Sequence, residues 1–117
     1  MNKQELKDRT KKFAIDVIRV CEHLPATFLG KHIKGQLIRS STSVAANYRA
    51  ACLAQSKAAY IAKLSIVIEE ADESEFWLEL IIEDKLLAKN QVSALKNESY
   101  ELASIFIASR KTLMQNK

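Results

Sequence analysis

The residues of this 117-residue chain whose types could do chemistry are two histidines, two cysteines, a row of carboxylates and a run of hydroxyls. A di-metal centre in a helical bundle needs inward carboxylates and a histidine one turn after a glutamate, the Glu-x-x-His spacing. Neither His23 nor His32 has it. Cys21 and Cys52 lack the close pairing of a zinc or redox motif, and both read as reduced thiols packing as small hydrophobes. Glu69, Glu70, Asp72, Glu73, Glu75, Glu79, Glu83 and Asp84 share one helical segment but point in several directions around it. That suits a solvated face, or a docking surface for Lys/Arg of another subunit, better than a convergent acid and base. Ser40, Ser41, Thr42 and Ser43 would need a base and an oxyanion site to act as nucleophiles, and no His or Lys arrangement announces either. No catalytic residue, metal ligand or cofactor is expected.

Two constellations point to binding instead. Arg39, Ser43 and Asn47 recur at steps of four, so they line one helix face, where a polar network with Glu70 and Glu73 would satisfy them. Lys7, Lys11, Lys12, Lys31, Lys34, Arg39, Arg49 and Lys57 are candidates for a phosphate-attracting surface. No recognition helix, zinc finger, glycine-rich phosphate loop or aromatic stacking motif accompanies them, so solvated basic residues are the competing reading.

Helices must position these groups. Leu6, Thr10, Phe13, Val17, Val20 and Leu24 alternate steps of four and three, the signature of one helical stripe, and Ala14 and Cys21 widen it. Asn2 and Glu5 have capping-box spacing and Pro25 follows Leu24, so a first helix is expected from Lys3 to Leu24. Ala26 to Lys34 reads as a loop merging into a second helix, whose stripe is Leu37, Ser41, Val44, Tyr48 and Ala51 and whose end falls near Ala54 or Gln55. Ser56 then caps a third helix from Lys57 to Leu87, striped by Tyr60, Leu64, Val67, Ala71, Ser74, Leu78 and Ile81, with Phe76 and Trp77 outside the seam. Asn90 breaks the pattern before a fourth stripe of Leu95, Ser99, Leu102, Phe106, Ser109 and Leu113. Short connections make neighbours antiparallel. The expectation is all-α: an antiparallel up-down-up-down four-helix bundle forming one domain over residues 1–117.

Composition agrees. At 48% apolar residues the chain can build a core, and two glycines with one proline leave little turn chemistry for sheets. No apolar run approaches the roughly 20 residues a spanning helix needs, and none follows the first positive charges as a secretory signal would; a cytoplasmic location and no membrane contact are expected. The net charge of +4 conceals an asymmetry, because residues 1–57 hold 11 Lys/Arg against 4 Asp/Glu and residues 58–117 hold 7 against 10. A basic face for phosphate would use this, and so would oppositely charged faces joining copies of the chain.

Gln36, Leu37, Ile38 and Arg39, then Ser43, Val44 and Asn47, then Ser56 and Lys57, and finally Ile68 to Leu80 reading IEEADESEFWLEL, together carry a likeness. The chain resembles the bacterial four-helix bundle proteins encoded in 23S ribosomal RNA intervening sequences, whose relatives include accessory proteins of diversity-generating retroelements. The resemblance spans nearly the whole chain, including Leu24-Pro25. Ala45 stands where proline is frequent in such proteins and Ala50-Ala51 where Glu-Gly is usual, so the second helix should be more continuous here. The resemblance implies a non-enzymatic homo-oligomer, a pentameric ring, with a basic surface able to engage RNA or DNA, and it assigns no catalytic residues. In a ring two different surfaces of each subunit meet, and Phe76 or Trp77, if exposed, would anchor that interface. The alternative function is a protein-interaction scaffold, such as an adaptor for a reverse transcriptase, without direct nucleic-acid contact.

Overall fold

The computed structural model describes residues 1–116; the expected domain also takes in Lys117, which lies outside the described residues. Four helices run in the order α1 (Lys3–Cys21), α2 (Phe28–Ala51), α3 (Lys57–Glu83) and α4 (Lys89–Gln115), with no strand among the described residues. Each packs on its sequence neighbour, and α4 closes against α1. The ends of α3 and α4 are exchanged: early Ser65 accepts from late Arg110 at 3.1 Å, while late Glu79 pairs with early Lys96 at 4.0 Å. The result is an up-down-up-down bundle, elongated to 49 × 21 × 19 Å.

The apolar stripes make the core. Phe13, Val17, Leu37, Val44, Tyr48, Leu64, Val67, Leu78, Leu102 and Phe106 are all buried, each aliphatic or aromatic side chain contributing about 1.5–3 kcal/mol by leaving water. Among them Tyr48 tilts against Phe106 with ring centroids 4.9 Å apart. Its hydroxyl has no hydrogen-bond partner of good geometry, although Cys52 and Tyr60 lie alongside, and burial raises its pKa. Cys21 and Cys52 are free thiols, the first fully buried.

The serine run has a packing role. Ser40 and Ser74 are both buried, with their Oγ atoms 2.8 Å apart across α2 and α3, and Ser74 donates to the Glu70 carbonyl at 2.9 Å. Ser41 and Thr42 bond back to the Ile38 carbonyl at 3.3 and 2.7 Å. Small side chains here let two helices approach closely while their hydroxyls stay satisfied.

Helix ends depart from expectation in five places, one of them the end of α2, which stops at Ala51 rather than near Ala54 or Gln55 as the Leu53 and Ala54 N–H groups bond three residues back. The α1 helix stops at Cys21, because Pro25 disfavours the α conformation at Leu24; Glu22, His23 and Leu24 bond instead to carbonyls three residues back. In turn α2 starts at Phe28, nearly two turns before the expected loop would end, because the Thr27 hydroxyl caps the Gly30 N–H at 3.0 Å. Gly30 is obligatory there: a Cβ would lie 2.0 Å from the Pro25 carbonyl oxygen. The α3 helix ends at Glu83 rather than Leu87, since Lys85 adopts φ 56° and the Lys85 and Leu86 N–H groups bond to Ile82 and Ile81. This is a Schellman motif built on lysine instead of glycine. Asn90 lies inside α4, which opens at Lys89 with Gln91 accepting from the Ala88 N–H at 3.0 Å. Where the capping box was expected, Asn2 accepts from the Glu5 N–H at 2.8 Å, and α2 runs unbroken through Ala45.

Candidate nucleic-acid interface

Folding segregates charge by helix. The α1 segment carries six Lys/Arg against three Asp/Glu, α2 four against none, α3 two against seven and α4 four against two. Because α1 packs on α2 and α3 on α4, the bundle has one strongly basic side and one acidic side.

On the α2–α3 seam the opposite signs meet. Arg39 donates to Glu70 at 2.9 Å and also to Glu73, which accepts the Trp77 indole N–H at 3.0 Å. The Trp77 and Arg39 hydrogen bonds hold the Glu73 carboxyl below its ordinary range, against the opposing effect of burial. Ser43 and Asn47 do not join this group. Asn47 donates to the Ser43 hydroxyl at 2.8 Å and to its carbonyl at 3.0 Å, so the ladder expected from sequence separates into an interhelical cluster and a local pair.

The opposite edge of α2 borders α1 across a crevice of about 580 Å³. Ala14, Ile15, Ile18, Ala45 and Ala46 form its floor, while Lys7, Lys11 and Arg49 stand at one end beside Asp8. Lys34 approaches the other end of this edge, close enough to Cys21 to oppose the burial that pushes its thiol up to about 11. Lys31 lies one turn before Lys34 on the same edge of α2. Among the described residues Lys7, Lys11, Lys31, Lys34 and Arg49 make no ion pair with a carboxylate of the chain; of the other three candidates, Lys12 pairs with Asp16 at 2.6 Å, Arg39 is held by its glutamates, and Lys57 at the start of α3 meets the Asn116 carbonyl. Three of the eight cations named from sequence, Lys7, Lys11 and Arg49, therefore line one crevice; Lys31 and Lys34 stand beyond it toward the start of α2, and three are engaged elsewhere.

Phe76 and Trp77 meet edge-on with ring centroids 5.0 Å apart but differ in exposure. Trp77 is half-buried, bonded to Glu73 and edge-on to His32 at 5.7 Å, whereas Phe76 is 50% exposed. The register set by Glu79–Lys96 and Ser65–Arg110 brings Phe76 opposite Tyr100. Tyr100, Ile107 and Met114 then follow at seven-residue steps along α4, 56%, 45% and 61% exposed. Sequence reasoning missed this ridge and the Ile15–Ile18 floor because it followed only the core stripe; a second apolar series at spacing seven was the available signal. On α3, Asp72 lies between Ser65 and Glu79, again at steps of seven, and so borders α4. Burial, then repulsion from Glu79, raises the Glu75 pKa, with Lys96 pulling it down and Asp72 adding to the rise.

Among the described residues no group of three His, Cys, Asp or Glu could hold a metal ion, and no helix is long and apolar enough to cross a membrane. What the arrangement offers chemically is an uncompensated row of cations, with α2 opening on no acidic residue in its first turn, so that phosphate oxygens find both positive charge and helix N–H groups.

No curated protein matches the chain. A solved crystal structure does: a protein of unknown function from the S23 ribosomal protein family of Bacteroides thetaiotaomicron VPI-5482, 35% identical, with a TM-score of 0.83 over 91% of this chain and 98% of that one. The likeness extends from fold to sequence, and the model of the family described as 23S rRNA-intervening sequence protein matches residues 2–108. By both measures, this four-helix chain belongs to the 23S rRNA-intervening sequence protein family.

Proposed function

We propose that this protein is a non-enzymatic cytoplasmic bundle that assembles with copies of itself, as a ring of five, and holds RNA or DNA through phosphate contacts of the cations along α1 and α2. The observation that carries the reading is a set of cations on α1 and α2 without carboxylate partners among the described residues: Lys7, Lys11 and Arg49 lining the crevice, and Lys31 and Lys34 beyond it toward the start of α2. Cations left unanswered inside a protein are available to an external polyanion, and with no stacking platform or base-reading element the contact is to backbone phosphate. Binding is therefore expected to be insensitive to base sequence and steeply dependent on salt.

Fluorescence anisotropy with labelled RNA and DNA across a salt series tests it. Each cation that contacts a duplex phosphate contributes a slope of roughly −0.9 in log affinity against log salt, so Lys31→Ala with Lys34→Ala should flatten the slope by about two. An assembled protein that leaves both nucleic acids unbound at low salt would refute the reading.

The exposed Phe76–Tyr100–Ile107 ridge supports a second reading, a protein-interaction scaffold such as an adaptor for a reverse transcriptase. Capture of a protein partner that survives nuclease treatment, without intrinsic affinity for nucleic acid, would favour it.

A further inference from the structure

The self-assembly part of that reading does not say which surfaces meet, and two features outside the polar seam answer each other. The crevice between α1 and α2 is concave, floored by small residues with Ile15 40% exposed, and its three nearest cations are Lys7, Lys11 and Arg49. On the far side of the bundle α4 exposes Tyr100 and Ile107, Phe76 of α3 is exposed at the level of Tyr100, and this α3–α4 ridge is flanked by Asp72, Glu75 and Glu79, whose only ion-pair partner among the described residues is Lys96, 4.0 Å from Glu79. Each surface thus combines an apolar strip with charges of one sign, and the signs are opposite.

We infer that the end of the α1–α2 crevice nearest Lys7, Lys11 and Arg49 receives the α3–α4 ridge of a second copy, Ile107 and Tyr100 packing against Ile15 and Ile18 while Asp72, Glu75 and Glu79 face those three cations. This rests on the self-assembly reading and deepens it. The contact joins two different surfaces, so each copy keeps one unused crevice and one unused ridge and growth continues until a ring closes. Docking places the apolar strips at the centre of the contact and the charges around them, an arrangement in which apolar burial supplies affinity and charge sets partner and register. It also narrows the phosphate contacts proposed above, because Lys7, Lys11 and Arg49 are taken by the second copy. Lys34 lies 15 residues from Arg49 along α2, about 22 Å at 1.5 Å per residue, so Lys31 and Lys34 stay open to phosphate when the other end is occupied.

A mixing experiment reads this without nucleic acid. Ile15→Asp spoils the crevice and spares the ridge, and Ile107→Asp does the reverse; both side chains are partly exposed, and circular dichroism checks that each variant folds. Light scattering should find the wild-type chain assembled, each variant alone at the 13.2 kDa of one chain, and a one-to-one mixture at twice that mass and no larger. Lys11→Glu and Asp72→Lys should each shift assembly to higher concentration, and the two changes in one chain should restore it. A wild-type chain of single-chain mass sinks self-assembly itself. An assembled wild type whose variants keep their full mass, or whose mixture stays at one chain, overturns this contact alone.

Discussion

Along one edge of α2, Arg39 is gripped by Glu70 and Glu73, and the buried Ser40 and Ser74 hydroxyls touch, so helices of opposite charge lie close with their polar groups answered. Along the other edge, Arg49 lines a crevice with Lys7 and Lys11 over an apolar floor, and Lys34 lies toward the far end, near Cys21. The first edge is finished within one chain. The second leaves its cations to solvent within one chain, and the contrast separates charges used in packing from charges without an ion-pair partner among the described residues.

Ser74→Val should break the comparison hardest. It removes a buried hydrogen bond and forces a branched side chain into the closest approach of α2 and α3, costing about 2–3 kcal/mol in urea unfolding; Ala46→Val on the crevice side should change stability by less than ~0.5 kcal/mol. Equal losses would mean the two edges are packed alike.

Tyr48→Phe comes next. Deleting a buried hydroxyl that lacks a partner should leave stability unchanged or raise it by up to ~1 kcal/mol, whereas a loss above that size would show that Cys52 or Tyr60 bonds to it in solution.

Acid titration sharpens the comparison through two neighbouring carboxylates. Glu73, tied to Trp77 and Arg39, has a lowered pKa in the folded state, so its contribution is present above the unfolded carboxyl value near ~4.3 and is lost as pH falls through the folded value. Glu75 has a raised folded pKa, so it costs stability at neutral pH and that cost disappears as pH falls through the raised value. Glu73→Gln should therefore lower the unfolding free energy at pH 7 and Glu75→Gln raise it, each by less than ~1 kcal/mol because both groups reach solvent, with both differences vanishing at acid pH. Matching signs would show that the two carboxylates share one environment.

A change of similar modest size is expected from Lys85→Gly. Glycine takes a left-handed conformation without strain, so this exchange should raise stability by about 0.5–1 kcal/mol in thermal unfolding. A loss would show that the lysine side chain is needed at the turn.

The bundle was legible because Leu64, Val67, Ala71, Ser74, Leu78 and Ile81 keep one helical rhythm, and burial follows such a rhythm whatever the loops do. Helix ends were less legible. Lys85 and Ala88 perform tasks usually given to glycine and to a hydroxyl or amide cap, so the residue types carry no stop or start signal. The cations could be named but not grouped. Lys12 and Lys11 are adjacent in sequence, and only the rotation of α1 decides that one pairs with Asp16 while the other faces Arg49. Ser43 and Asn47 were placed in a wider network because steps of four show that two residues share a face, not that their side chains reach the next helix.

Gly30 carries a consequence out of proportion to its size. The opening turn of α2 rests on the Pro25 carbonyl with room there for a hydrogen atom and nothing larger. A methyl group at that point would act as a wedge at a hinge, prising the start of α2 from the end of α1 and carrying Lys31 and Lys34 outward with it. The spacing of positive charge at that mouth is thus governed by a residue that bears no charge at all.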